Sequence, residues 1–125
     1  MASKNNGLKK LFRSFSFAFS GIIELVKSEQ NARIHLLATI CVVIAGFVFD
    51  ISGSEWCVVI ILVALIWASE AFNTAIEKLT DHLFHEYNET ARIVKDISAG
   101  AVFICAIAAV LCAAIIFLPK IFALF

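Results

Sequence analysis

The sequence predicts an all-α membrane protein, with an amphipathic N-terminal helix followed by three membrane-spanning helices. Three observations predict it. Of 125 residues, 62% are apolar and only 16% charged, against about 45–50% and 25% in soluble domains. The apolar residues gather into three long runs, and open strands cannot satisfy their backbone groups in lipid. The charges crowd the ends of those runs. The length allows a single domain, residues 1–125. Ten Lys and Arg equal ten Asp and Glu, which excludes the basic excess of a nucleic-acid-binding domain. Four cysteines without C-x-x-C spacing read as small packing residues rather than as zinc ligands.

The first element spans about residues 7–28. Leu8, Leu11, Phe12, Phe15, Phe19, Ile22, Ile23 and Val26 recur at spacings of three and four, with Lys9, Lys10, Arg13 and Glu24 between them. Such a helix lies on a membrane with its Phe-rich side down. No uninterrupted apolar core follows the basic start, so a secretory signal peptide is not expected. The first span, about 33–50, contains the uncharged run Leu36–Phe49. The second, about 56–77, starts at Trp56 and continues as a helix through Glu70 to Ile76. Trp56 and Trp67 read as interfacial aromatics near its two ends. The third, about 96–118, holds Ile97–Leu118 without a charge, long enough to cross a hydrocarbon core of about 30 Å. Its stripe Ser98, Ala101, Cys105, Ala108 and Cys112 lets helices approach closely, and so small a bundle is expected to self-associate.

Orientation follows from the basic residues. Lys4, Lys9, Lys10, Arg13, Lys27 and Arg33 precede the first span, Lys78, Arg92 and Lys95 lie between the second and third, and only Lys120 follows. Nine of ten thus fall on one side, expected to be the cytoplasm, with the N-terminus inside and the C-terminus outside. Eight of ten acidic residues fall there too, all but Asp50 and Glu55. Net neutrality therefore conceals a polar face.

That face carries the candidate chemistry. Glu70, Asn73, Glu77 and Asp81 stand at offsets of 3, 7 and 11, within a helical stripe about 80° wide. Glu70 falls near the hydrocarbon boundary, where a carboxylate is expensive and suggests function. Glu29, Glu77, Asn73 and Asp96 offer hard oxygen ligands suited to Mg²⁺, and Lys95 can meet a phosphate as a point charge. An interfacial base, carboxylates and a lysine together describe phosphoryl transfer to a membrane substrate. Neither G-x-x-x-x-G-K-[ST] nor G-x-G-x-x-G is present. A small proton-coupled transporter is a more distant reading, but its carboxylate should lie deep in a span. A non-catalytic adaptor leaves the acidic stripe unexplained.

The run Glu70-Ala71-Phe72-Asn73-Thr74-Ala75-Ile76-Glu77, followed by Asp81, resembles the E-x-x-N-[ST]-A-I-E-x-x-x-D signature of the bacterial integral-membrane diacylglycerol kinases, a family that includes undecaprenol kinases. Lys95-Asp96 followed by Ala99-Gly100-Ala101-Val102 is similar to its second signature, and Glu29 stands where the family has an upstream acidic residue. The likeness runs over roughly residues 8–118. It implies a homotrimer in the bacterial inner membrane with active sites shared between neighbours, Mg²⁺ with ATP as phosphoryl donor, and a lipid hydroxyl as acceptor. By that resemblance Glu70 is the general base, supported by Asn73 and Asp81, while Glu29 and Glu77 hold the metal. Lys10, Phe17, Glu29, Glu77, Glu86, Tyr87, Asn88, Lys95 and Asp96 are implied to bind ATP. Lys10, Ser14, Phe15, Ser16, Phe17, Ala18, Phe19, Asn31, Ala32, Arg33, Ile34, His35, Glu70 and Ala99 are implied to line the lipid path. Two positions depart from the family: Lys10 stands for Arg, losing a bidentate fork, and Phe17 stands for Tyr. Glu86–Glu89 look closer to the diacylglycerol branch, Arg33–Leu36 and Ala99–Val102 closer to the undecaprenol branch. The acceptor is expected to be diacylglycerol, giving phosphatidic acid, with undecaprenol as the alternative.

Overall fold

The computed structural model describes residues 2–125, with side chains from Lys4 onward. Four helices follow one another, α1 (Ala2–Ser28), α2 (Gln30–Val48), α3 (Gly53–Leu83) and α4 (Glu89–Phe122), and no strand occurs among the described residues. The last three are long and apolar enough to cross a membrane. With 31 residues α3 is about 46 Å long and with 34 residues α4 about 51 Å. Both therefore exceed a hydrocarbon core of about 30 Å, which is why they outrun the spans expected at 56–77 and 96–118.

Each junction has a local cause. Between α1 and α2 a single residue, Glu29, adopts an extended conformation (φ −114°, ψ 123°). Arg33 closes this joint: its Nε and Nη2 donate to the Val26 and Lys27 carbonyls at 3.2 and 2.9 Å, satisfying groups that a helix end leaves unpaired. At the opposite end of the bundle, α2 stops in a Schellman motif. Asp50 takes the left-handed conformation (φ 48°), its N–H donates to the Phe47 carbonyl, and the Ile51 N–H donates to Gly46. Ser52 then starts α3 through a capping box with Glu55. Asn88 starts α4, its side chain accepting from the Ala91 N–H at 3.0 Å.

The apolar core lies at the α2–α3 turn, which we call the far end. Ile51, Val59, Ile116 and Phe117 are buried there, and the rings of Phe49 and Phe117 meet edge to face with centroids 6.0 Å apart. Lys120 pairs with Glu55 at 3.3 Å, tying the end of α4 to the start of α3. Trp56 lies flat over Gly46, so close that a Cβ on Gly46 would come within 2.5 Å of the indole. Gly46→Ala must therefore displace a bulky ring already packed against Phe47. A loss of about 1–3 kcal/mol is expected, the usual cost of overpacking, read as a lower unfolding midpoint in detergent; an unchanged midpoint would refute the contact.

Packing is uneven across the bundle. α3 and α4 pair along most of their length, α2 leans on α3, and the backbones of α2 and α4 stay more than 8 Å apart at Cα. Their separation leaves an apolar groove of about 310 Å³ over α3, running from His35 and Thr39 at the near end to Ile116 and Phe117 at the far end. α1 crosses α3 through its Ala18–Leu25 stretch, where Leu25 is buried and Glu24 lies 3.7 Å from Lys78.

Candidate active site

Glu70 is the most deeply buried polar side chain described, with 1% of its surface exposed. Lying 17 residues into α3, it stands about 26 Å along the axis from Gly53. It thus stands in the second half of α3, flanked by residues of α2 and α4. Its Oε2 has no hydrogen-bond donor. His35 Nε2 approaches that oxygen to 3.3 Å, yet without the alignment of a hydrogen bond. Both side chains line an open cavity of about 270 Å³ with Asn31, Ile34, Asn73 and Ala99. One turn further along α3, the buried Asn73 accepts from the Ser98 hydroxyl at 2.6 Å. Thr74 is also buried, and its hydroxyl has no partner.

A second polar cavity, of about 280 Å³, opens where α3 leaves the bundle and α4 enters it. Asp81, Glu86, Tyr87, Asn88, Lys95 and Asp96 all line it, six residues that the sequence singled out from three separate segments. Lys95 Nζ lies 2.7 Å from Asp81 Oδ1. That hydrogen bond, helped by the charges of Asp81 and Glu77, raises the ammonium above the usual lysine range, so Lys95 is a fixed cation at any physiological pH. Arg92 bridges Glu89 and Asp96, at 2.5 and 2.8 Å. Together with the Tyr87 hydroxyl, which also binds Glu89, it holds the Glu89 carboxyl below its ordinary range. These are exposed ion pairs, weak individually.

Other candidates stay outside the two cavities. Glu29 and Glu77 are half-buried, and no ion pair or hydrogen bond engages either carboxylate among the described residues. No cluster of three or more potential metal ligands forms there either. Two hard carboxylates without a committed partner nevertheless fit Mg²⁺, which is held by one or two carboxylates plus substrate phosphates. Lys10, Ser14, Phe15, Ser16, Phe17, Ala18 and Phe19 are exposed along α1 and line neither cavity. Ala32 is fully buried, and Arg33 is occupied with the joint to α1. The site also contains residues that sequence reasoning passed over. Ser98 was visible only as a small residue in a stripe. Arg92 could have been found from its spacing of three and four to Glu89 and Asp96. Trp67 is tied to Thr39 across α2 and α3 by an indole hydrogen bond of 3.0 Å, rather than serving only as an interfacial ring.

Comparisons with known proteins identify the family. Residues 16–117 match the family described as prokaryotic diacylglycerol kinase. The undecaprenol kinase of Bacillus subtilis is 36% identical over 115 residues, covering 92% of this chain and 94% of that protein. The diacylglycerol kinase of Synechocystis is 32% identical over 115 residues, covering 91% of this chain and 66% of its own length. The diacylglycerol kinase of Escherichia coli is 26% identical over 111 residues, covering 89% and 91%. Three helices long and apolar enough to cross a membrane and a match over most of the chain lead to one conclusion: this protein belongs to the prokaryotic diacylglycerol kinase family and is a membrane-embedded lipid kinase.

Proposed function

We propose that this chain transfers the γ-phosphoryl group of ATP to the hydroxyl of diacylglycerol, with Glu70 as the general base. The observation that carries this reading is the position of Glu70 Oε2, buried and without a donor, in a cavity that joins the apolar groove at His35 and Ala106. A lipid whose chain lies in the groove brings its hydroxyl to that oxygen, and a carboxylate excluded from water accepts the proton without competition from solvent. ATP occupies the cavity of Asp81, Glu86, Tyr87, Asn88, Lys95 and Asp96, about 16 Å along α3 from Glu70 when measured to Asp81. Lys95 exchanges Asp81 for a phosphate oxygen, while Arg92 keeps Asp96 in place. Asn73, held by Ser98, lines the cavity beside Glu70. Glu29 and Glu77 would hold Mg²⁺, which neutralises phosphate charge when bound.

The protein is proposed to work as a homotrimer in the cytoplasmic membrane, with the nucleotide cavity facing the cytoplasm. Exposed apolar side chains on every helix support burial in lipid or against neighbours. The exposed Lys10 and Ser14–Phe17 then serve an adjacent copy's site from an α1 lying on the membrane surface. Nine of ten basic residues at the near end support the orientation. Undecaprenol is a second reading for the acceptor, prompted by the undecaprenol kinase of Bacillus subtilis, which is matched over 94% of its length. In mixed micelles with Mg²⁺ and γ-labelled ATP, label is expected in phosphatidic acid faster than in undecaprenyl phosphate. A reversed ratio would move the acceptor to undecaprenol, and no label in either lipid would sink the reading.

A further inference from the structure

Phosphorylation of an alcohol releases a proton, so a buried base must be emptied after every turnover. The lipid O–H bond and the bond between the γ-phosphorus and the bridging oxygen of ATP break, and a lipid O–P bond forms. The electron pair of the broken phosphoanhydride leaves with ADP, and the lipid proton goes to Glu70. At 1% exposure, with Oε2 fully buried, Glu70 has little contact with water through which to lose that proton from Oε2. We propose that His35 is the outlet: it takes the proton from Glu70 Oε2 onto Nε2 and releases one from Nδ1 to water. Tautomer exchange through solvent then restores an unprotonated Nε2. This step rests on the lipid kinase reading and adds to it the residue that resets the base.

Three observations carry the assignment. His35 Nε2 lies 3.3 Å from Glu70 Oε2, the oxygen that lacks a hydrogen-bond donor. Contacts of this kind are often long before substrate binds and tighten afterwards. The His35 side chain is 17% exposed against 2% for that of Glu70, so it bridges a dry group and the open cavity. An imidazole also accepts and donates protons near neutral pH. No competing group faces the pair among the described residues. From α3 the titratable side chain is Glu70 itself, while α4 presents Ala99, Val102, Phe103 and Ala106, and α1 contributes nothing to the cavity. On α2, Arg33 is turned to the carbonyls of α1.

The register of His35 is set one turn away. Trp67 Nε1 donates to Thr39 Oγ1 at 3.0 Å, and Thr39 Oγ1 donates to the His35 carbonyl at 2.7 Å. Trp67 and Glu70 are three apart on α3, and His35 and Thr39 are four apart on α2, so the two interhelical contacts are successive rungs. Between helices that share few other polar contacts, the Trp67–Thr39 rung fixes where the imidazole stands relative to the carboxylate.

The test compares His35→Gln, His35→Ala and the wild type in the same micellar assay, each with ATP and lipid titrated. Gln keeps volume and hydrogen bonding but cannot relay a proton. Turnover of His35→Gln should fall about tenfold to hundredfold with both KM values near wild type, and millimolar imidazole should restore part of the His35→Ala rate. Turnover of His35→Gln within twofold of wild type would overturn the proposal. So would a defect confined to lipid KM, which marks a lipid contact alone, or His35→Ala that folds and ignores imidazole. Should His35→Ala not fold, the kcat of His35→Gln decides alone. A wild type that labels no lipid is a different failure: it removes the kinase reading, and this step with it.

Discussion

Glu70→Gln should reduce lipid phosphorylation by about a hundredfold to ten-thousandfold, the range a positioned general base contributes. Gln has the same shape and still hydrogen-bonds, but it cannot accept the proton of the lipid hydroxyl. The polar cavity proposed for the nucleotide lies further along α3, around Asp81 and Lys95, so ATP affinity should remain near wild type. The loss then appears in kcat and equally in kcat/KM, as expected when an interaction made only in the transition state is removed. Stability gives an independent check. Glu70 Oε2 is buried without a hydrogen bond, a costly condition for a charge, so the neutral amide should unfold at the same temperature or higher. A variant that retains a tenth of the wild-type rate, or that loses activity only by unfolding, would contradict the assignment of Glu70.

Glu77→Gln is expected to act through the metal instead. Glu77 is half-buried on the same stripe as Glu70, and its charge reaches Lys95. Removing one of two hard oxygen ligands should raise the Mg²⁺ concentration for half-maximal activity by at least about tenfold, since even an outer-shell partner is worth that much. ATP binding should weaken only when Mg²⁺ is limiting, and saturating Mg²⁺ should recover much of kcat. An unchanged Mg²⁺ titration would exclude Glu77 as a ligand. Recovery by Mg²⁺ also separates this variant from Glu70→Gln, which no metal concentration should rescue.

Much of the site was legible because the relevant residues share one helix. Glu70, Asn73, Glu77 and Asp81 follow helical spacing, and α3 carries all four as expected. The partners of that stripe were not legible. Nothing in the local pattern says that Ser98, rather than another small residue of α4, reaches Asn73. Nor does it say that Trp67 spends its indole N–H on Thr39. The exposed residues of α1 show a further limit: helical periodicity marks Lys10 and Ser14–Phe19 as one segment, but not which site it serves.

By itself the sequence determined the all-helical class, the three long apolar helices and the gathering of charge at the bundle ends. Those properties follow from length, periodicity and the cost of placing backbone or charge in hydrocarbon, which act within one segment at a time. Only the tertiary structure decided that Glu70 is sealed between α2 and α4, that His35 is the side chain facing its free oxygen, and that α2 and α4 part to leave an apolar groove beside them. The physical reason is that helical periodicity assigns a residue to a face, whereas burial and pairing depend on which neighbour covers that face and in what register.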